Sequence, residues 1–145
     1  MKTIKIEKVN VIGIYNLLGS IKAKGRKSRA LTKFGKILAD RIVELQEEEK
    51  ALLAEYFEVD AQGDSQKDKD GKSIPLEGVD PEEYPKEKAA WLKEELVVDL
   101  TEYQPYTEHL LAALEDWEEP ISGVDALMYD ELLDALESME EETAE

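Results

Sequence analysis

Residues Gln66 to Glu77, QKDKDGKSIPLE, put Asp68, Asp70, Gly71 and Glu77 at the third, fifth, sixth and twelfth positions of a calcium loop. The first position is Gln66 instead of Asp, the eighth is Ser73 instead of an aliphatic residue, and Pro75 interrupts the register. Three lysines would also stand inside a cage for a cation, so the stretch reads as an exposed turn at Asp70-Gly71. Gly71-Lys72-Ser73 matches the end of a phosphate-binding P-loop, but the position of the leading glycine holds Gln66 and no apolar strand precedes it. His109, the one histidine, sits beside Leu110 and Leu111 with no cysteine anywhere to activate, and reads as a helix-surface residue. These residues define no catalytic set, no metal site and no cofactor site. An enzyme is not expected.

Charge carries more information. The first 41 residues hold 11 basic side chains against Glu7 and Asp40, whereas the last 52, from Glu94, hold 18 acidic side chains and no Lys or Arg. Lys24, Arg26, Lys27 and Arg29 crowd the start of one expected helix. Glu115, Asp116, Glu118 and Glu119 crowd the end of a second, and Glu137, Glu140, Glu141 and Glu142 the end of a third. Both placements oppose the helix dipole, at ~0.3–1 kcal/mol for each exposed charge. A neighbouring helix, a partner or solvent must compensate. The first functional reading makes the acidic ends, within Glu108 to Glu142, a contact surface for a protein with a basic surface. The alternative is phosphate or nucleic-acid binding by Lys24, Arg26, Lys27 and Arg29, through side chains and helix N–H groups. Nucleic acid is disfavoured by the net charge of -17 and by the lack of aromatic residues within the basic stretch. Trp91, Tyr103, Tyr106, Trp117 and Tyr129 read first as packing residues and second as interface anchors.

The elements that must hold these charges follow from periodicity. Thr3-Ile4-Lys5-Ile6-Glu7 alternates like a short strand. Val11, Ile14, Leu18 and Ile21 mark one face of a helix near 10–22, stopped by Gly25. Leu31, Phe34, Leu38, Ile42, Leu45, Leu52 and Tyr56 define a long helix over 28–57 with Ser28 as its N-cap, a spine through which copies could associate. Its stripe is broken at Glu47-Glu48-Glu49. A polar loop over 58–79, which could contain a hairpin turned at Asp70-Gly71, precedes a helix capped by Asp80 and opened by Pro81. Residues 96–101 suit a second strand that could pair with 3–7, and Pro105 opens the first of two acidic helices. Ser122 and Asp125 make a capping signature for the last one. The two share a Leu-Leu-x-Ala-Leu-Glu pattern at 110 and 132, which suits an antiparallel helical hairpin.

The expected architecture is mainly α: one domain over 1–145, a long spine helix, a C-terminal acidic hairpin, a possible two-stranded β element, and a frayed tail over 140–145. No apolar run reaches the length of a membrane span, so no membrane partner is expected, and the start of the chain lacks a signal-peptide pattern. The stretches Ile14-Tyr-Asn-Leu-Leu18, Lys24-Gly-Arg-Lys-Ser-Arg-Ala-Leu-Thr-Lys33, the D-x-D-G turn and Asp125-Ala-Leu-Met-Tyr-Asp-Glu-Leu-Leu-Asp-Ala-Leu136 together resemble a family of small acidic proteins of tailed phages and prophages of Gram-positive bacteria. The family has no assigned activity and transfers no catalytic residue. The resemblance implies a protein of the bacterial host cytoplasm or of the virion. Such a protein would act by protein–protein binding, as a tail or assembly factor or as an inhibitor of a host defence protein.

Overall fold

The structure is a computed structural model that describes residues 2–141. In chain order the elements are β1 (Lys2–Glu7), α1 (Lys8–Ser20), α2 (Arg26–Ala54), α3 (Glu83–Lys93), β2 (Glu95–Asp99), α4 (Gln104–Glu115), α5 (Gly123–Glu137) and β3 (Glu140–Glu141). The fold is mainly helical with a small antiparallel sheet, as the periodicity predicts. Where one domain is expected, the chain forms two compact units, Met1–Ile42 with Glu94–Glu145, and Val43–Lys93.

The first unit is built on β1. Its alternation buries Ile4 and Ile6 and turns Lys5 and Glu7 outward. The expected pairing with β2 forms in antiparallel register, Thr3 opposite Asp99 and Glu7 opposite Glu95. A third strand joins the other edge of β1, with Lys2 opposite Glu141 and Thr3 opposite Glu140, so the sheet order is β2-β1-β3. Of the expected frayed tail, residues 140 and 141 form β3 and 142–145 lie outside the described residues. On β2, the Arg41 guanidinium donates to the Val97 carbonyl at 2.9 Å. A charged side chain on an edge strand discourages further strand pairing.

Helices cover the sheet. Val11, Ile14 and Leu17 of α1, Phe34 and Leu38 of α2, Leu110 and Leu114 of α4 and Leu132 of α5 are all essentially inaccessible and form the core with Ile4, Val98 and Leu100. α1 and α5 pack together at Gly13, where an added Cβ would lie 2.6 Å from the Met128 sulfur. The acidic hairpin is antiparallel. Gln104 at the start of α4 donates to the Met139 sulfur beyond the end of α5, while Tyr129 donates from its hydroxyl to the Leu114 carbonyl at 2.6 Å. Ser122 holds the N-cap position of α5, but its side chain makes no capping bond.

The second unit contains the end of α2, α3 and residues 57–80 between them. The segment over 58–79 is more regular than the polar loop expected. Gln66 N–H donates to the Glu58 carbonyl at 2.8 Å, Ile74 N–H to Gln66 at 3.0 Å, and Glu58 N–H to Ile74 at 2.9 Å. Three isolated antiparallel bridges, Val59 with Ser65, Lys67 with Ser73 and Pro75 with Phe57, therefore close into a ring. Between them stand equivalent turns. Asp60 Oδ1 accepts from the N–H groups of Gln62 and Asp64, and Asp68 Oδ1 from those of Asp70 and Lys72. Gly63 and Gly71 supply the positive φ that closes each turn. The D-x-D-G motif is thus accounted for by a side chain turning on its own backbone. Tyr84 of α3 packs edge-on to Phe57 and tilted to Tyr56. Two of the three glutamates that interrupt the α2 stripe meet α3: Trp91 Nε1 donates to Glu48 at 3.0 Å and Lys88 pairs with Glu49 at 3.4 Å.

Candidate functional site: a cationic cleft at the start of α2

The basic segment folds as the entry to α2, three residues earlier than the Ser28 cap predicts. Gly25, at φ 62°, turns the chain, and its carbonyl accepts the Arg29 N–H at 3.0 Å. Gly25 is therefore the cap, because only a residue free of a Cβ takes that φ without strain, and Ser28 falls in the first turn. The N–H groups of Arg26, Lys27 and Ser28 precede the first intrahelical partner and point out of the helix start.

This start lies against the end of α4. Lys27 forms an ion pair and hydrogen bond with the Asp116 carboxylate. Asp116 is the C-cap of α4, its own N–H bonded to the Ala112 carbonyl. A cation at the wrong end of one helix and a carboxylate at the wrong end of another thus compensate each other. Both side chains remain more than a third exposed, so the pair itself contributes at most ~1 kcal/mol.

Beside that pair opens a cleft of about 430 Å3, lined by Lys22, Lys24, Arg26, Lys27, His109 and Asp116 together with Ala23 and Ala113. Four cations and an imidazole face one carboxylate, and that carboxylate is already engaged by Lys27. Among the described residues no carboxylate lies within ion-pair distance of Lys22, Lys24 or Arg26. Three of the four expected anion-binding residues are brought together here. Arg29 is not: its guanidinium lies 6.0 Å from the centre of the Tyr106 ring, with the Lys33 ammonium 5.1 Å from the same ring. Lys22, which opens the basic segment 22–29, lines the cleft as well, and His109 joins it without having been expected there. His109 comes from α4, some eighty residues away in sequence, and no local pattern marks that approach.

The acidic residues are divided between the two ends of the hairpin. Glu115, Asp116, Glu118 and Glu119 are exposed at the end of α4, beside Trp117, whose ring packs 6.1 Å from that of Tyr129. Glu137 is exposed at the opposite end, where β3 carries Glu140 and Glu141 to the edge of β1. Lys5 of β1 lines a crevice with Ala135 and Ser138 at the end of α5, a favourable place for a cation. Glu142 lies outside the described residues. The antiparallel course of α4 and α5 therefore separates residues that composition alone groups into one acidic face.

Among the described residues no group of three or more His, Asp or Glu side chains is placed to hold a metal ion, and no helix is long and apolar enough to cross a membrane. Lys67, exposed to solvent, donates from Nζ to Ser65 Oγ at 2.9 Å and to Ser73 Oγ at 2.8 Å. No family model matches the chain, nor does any curated protein or solved structure.

Proposed function

We propose that this protein acts by binding, and that the cleft at the start of α2 takes a compact phosphate-bearing ligand. The observation that carries the reading is the convergence of Lys22, Lys24, Arg26 and His109 on one cleft with outward-pointing helix N–H groups. Cationic donors and orphan N–H groups together suit a tetrahedral oxyanion, which accepts several charge-assisted hydrogen bonds at once. Magnitudes favour a small anion over a nucleic acid. At physiological salt the Debye length is ~8 Å, so a ligand within the cleft senses the local cations and is screened from most of the net charge of -17. An extended polyanion leaving the cleft would pass Glu115, Asp116, Glu118 and Glu119. Titration with inorganic phosphate and pyrophosphate, followed by the His109 imidazole resonances, tests this. Saturable binding is expected, abolished by Lys22→Glu, Lys24→Glu and Arg26→Glu together and tightened several-fold by Asp116→Asn, which removes the one carboxylate. Absence of binding at millimolar pyrophosphate would overturn it.

A second reading, binding of a basic protein, is supported by the exposed carboxylates at the end of α4. The resemblance to phage-encoded proteins supports the bacterial host cytoplasm or the virion as the setting for either, in assembly or in inhibition of a host defence protein. Charge reversal of Glu118 and Glu119 should weaken capture of such a partner and leave pyrophosphate binding in place.

A further inference from the structure

Two apolar features on the surface of the first unit take no part in the cleft. One is a groove of about 380 Å3 between α1 and α2, lined by Tyr15, Gly19, Thr32, Gly35, Lys36 and Ala39 among others. Small residues form its walls: an added Cβ at Gly19 would meet nothing within 4 Å, and one at Gly35 only the Tyr15 ring edge at 4.0 Å. Val9, Ile12 and Tyr15 continue an exposed apolar stripe along α1. The other feature is on α5, where Val124 and Leu127 are 68% and 63% exposed. They lie three apart, and Glu131 and Asp134 follow on the same helical face, both exposed.

We infer that the α1–α2 groove receives the Val124–Leu127 face of α5 from a second copy of this chain. Charge selects the occupant. From Lys8 to Ala39 there is no carboxylate, and eight Lys or Arg side chains lie in that span; Lys36 is the charged residue on the groove wall. α5 has the opposite character, with Asp125, Asp130, Glu131, Asp134 and Glu137 and no cation. Each copy therefore carries a basic, small-walled groove and an acidic helix with two protruding apolar side chains. The inserted face is apolar at 124 and 127 and acidic one to two turns later, so seating Leu127 in the groove brings Glu131 or Asp134 toward cations of α2. The two surfaces differ, so a single such contact leaves one groove and one α5 face open, which close reciprocally in a two-fold dimer or take further copies head to tail. The net charge of -17 opposes association at low ionic strength, and screening at 0.15 M or above relieves that repulsion while leaving the apolar contact intact.

Sedimentation velocity of the whole chain at 0.15 M and 0.5 M salt over a hundred-fold concentration range tests the inference. The expected result is a mass above 16.4 kDa that grows with concentration. Leu127→Asp, which spoils the inserted face, and Gly19→Leu, which fills the groove in open space, should each give monomer, with circular dichroism and melting temperature showing that both fold. Mixing the two variants should restore a dimer that grows no further, because one retains a groove and the other an α5 face. A monomer at every concentration, or association that neither substitution reduces, would overturn the proposal. Substitution of Lys24 in the cleft should leave association unchanged, which separates failure here from failure of the phosphate-binding reading.

Discussion

At the scale of single residues, Tyr103 shows how a buried polar atom constrains the fold. Its ring packs 5.7 Å from Phe34 and 5.8 Å from Tyr106, and its hydroxyl donates to the Ala30 carbonyl at 2.7 Å, tying the start of α4 to α2. Burial raises the phenol well above its ordinary value of 10.0. Tyr129, bonded to the Leu114 carbonyl, is raised too, by burial first and by Glu115 second. Below pH 10 the phenol is protonated in both folded and unfolded chains, and its contribution is fully present. Above pH 10 the unfolded chain releases the proton while the folded chain keeps it, so stability falls as pH rises. Tyr103→Phe should cost about 1 kcal/mol at neutral pH through the lost hydrogen bond. The gap between wild type and variant should stay constant to pH 10 and close above it. Urea titrations from pH 7 to 11.5 read both quantities; a gap that widens in alkali would show that the hydroxyl is not held by burial.

At the scale of elements, the α1–α5 contact rests on the absence of a side chain. Gly13 brings the two helices close over Met128, which is 8% exposed. A leucine there cannot be accommodated by rotating the thioether alone, and overpacking of this kind costs about 1–3 kcal/mol. Gly13→Leu should lower the melting temperature by several degrees. Gly19→Leu, on the open side of the same helix, should leave it unchanged or raise it. The contrast shows which parts of the fold were legible in the sequence. Ile4, Val11, Ile14, Leu31, Phe34 and Leu38 lie on one side of their elements by simple periodicity, and the structure buries them as expected. The pairing of 3–7 with 96–101 followed from two β-branched runs with no other strand partner. β3 did not, because glutamate is depleted in strands and Glu140-Glu141 carries no alternating apolar pattern. The ring over 57–80 was legible only at its Asp70-Gly71 turn. Its signal was the eight-residue repeat of Asp60-x-x-Gly63-x-Ser65 in Asp68-x-x-Gly71-x-Ser73, whereas apolar periodicity, the usual guide, is weak there. The cleft was half legible: the cations are contiguous, but His109 and Asp116 reach them only through the tertiary course of α4.

At the scale of the whole molecule, the two units hold their backbones by different means. Residues of the first unit include Ile4, Val11, Ile14, Phe34 and Leu132, each at most 1% exposed, whereas Leu45, at 5%, is the one buried apolar side chain among residues 43–93. The second unit relies on half-buried Tyr56, Phe57, Tyr84 and Trp91 and on the closed set of hydrogen bonds joining Glu58, Gln66 and Ile74. A net backbone hydrogen bond contributes ~0.5–1.5 kcal/mol, and three of them match no more than one or two buried leucines at ~1.5–3 kcal/mol each. Apolar burial therefore decides the order of opening, and the second unit should open first. Native-state hydrogen exchange should find the amides of Glu58, Gln66 and Ile74 exchanging by openings well below global unfolding, while Ile4, Ile6 and Ile14 exchange only with it. Trypsin under native conditions should cut first after Lys67, Lys69 or Lys72, which are exposed on the turns of the ring. Ring amides as slow as those of β1 would mean that the closed ladder is far more cooperative than its individual bonds, and would reverse this order.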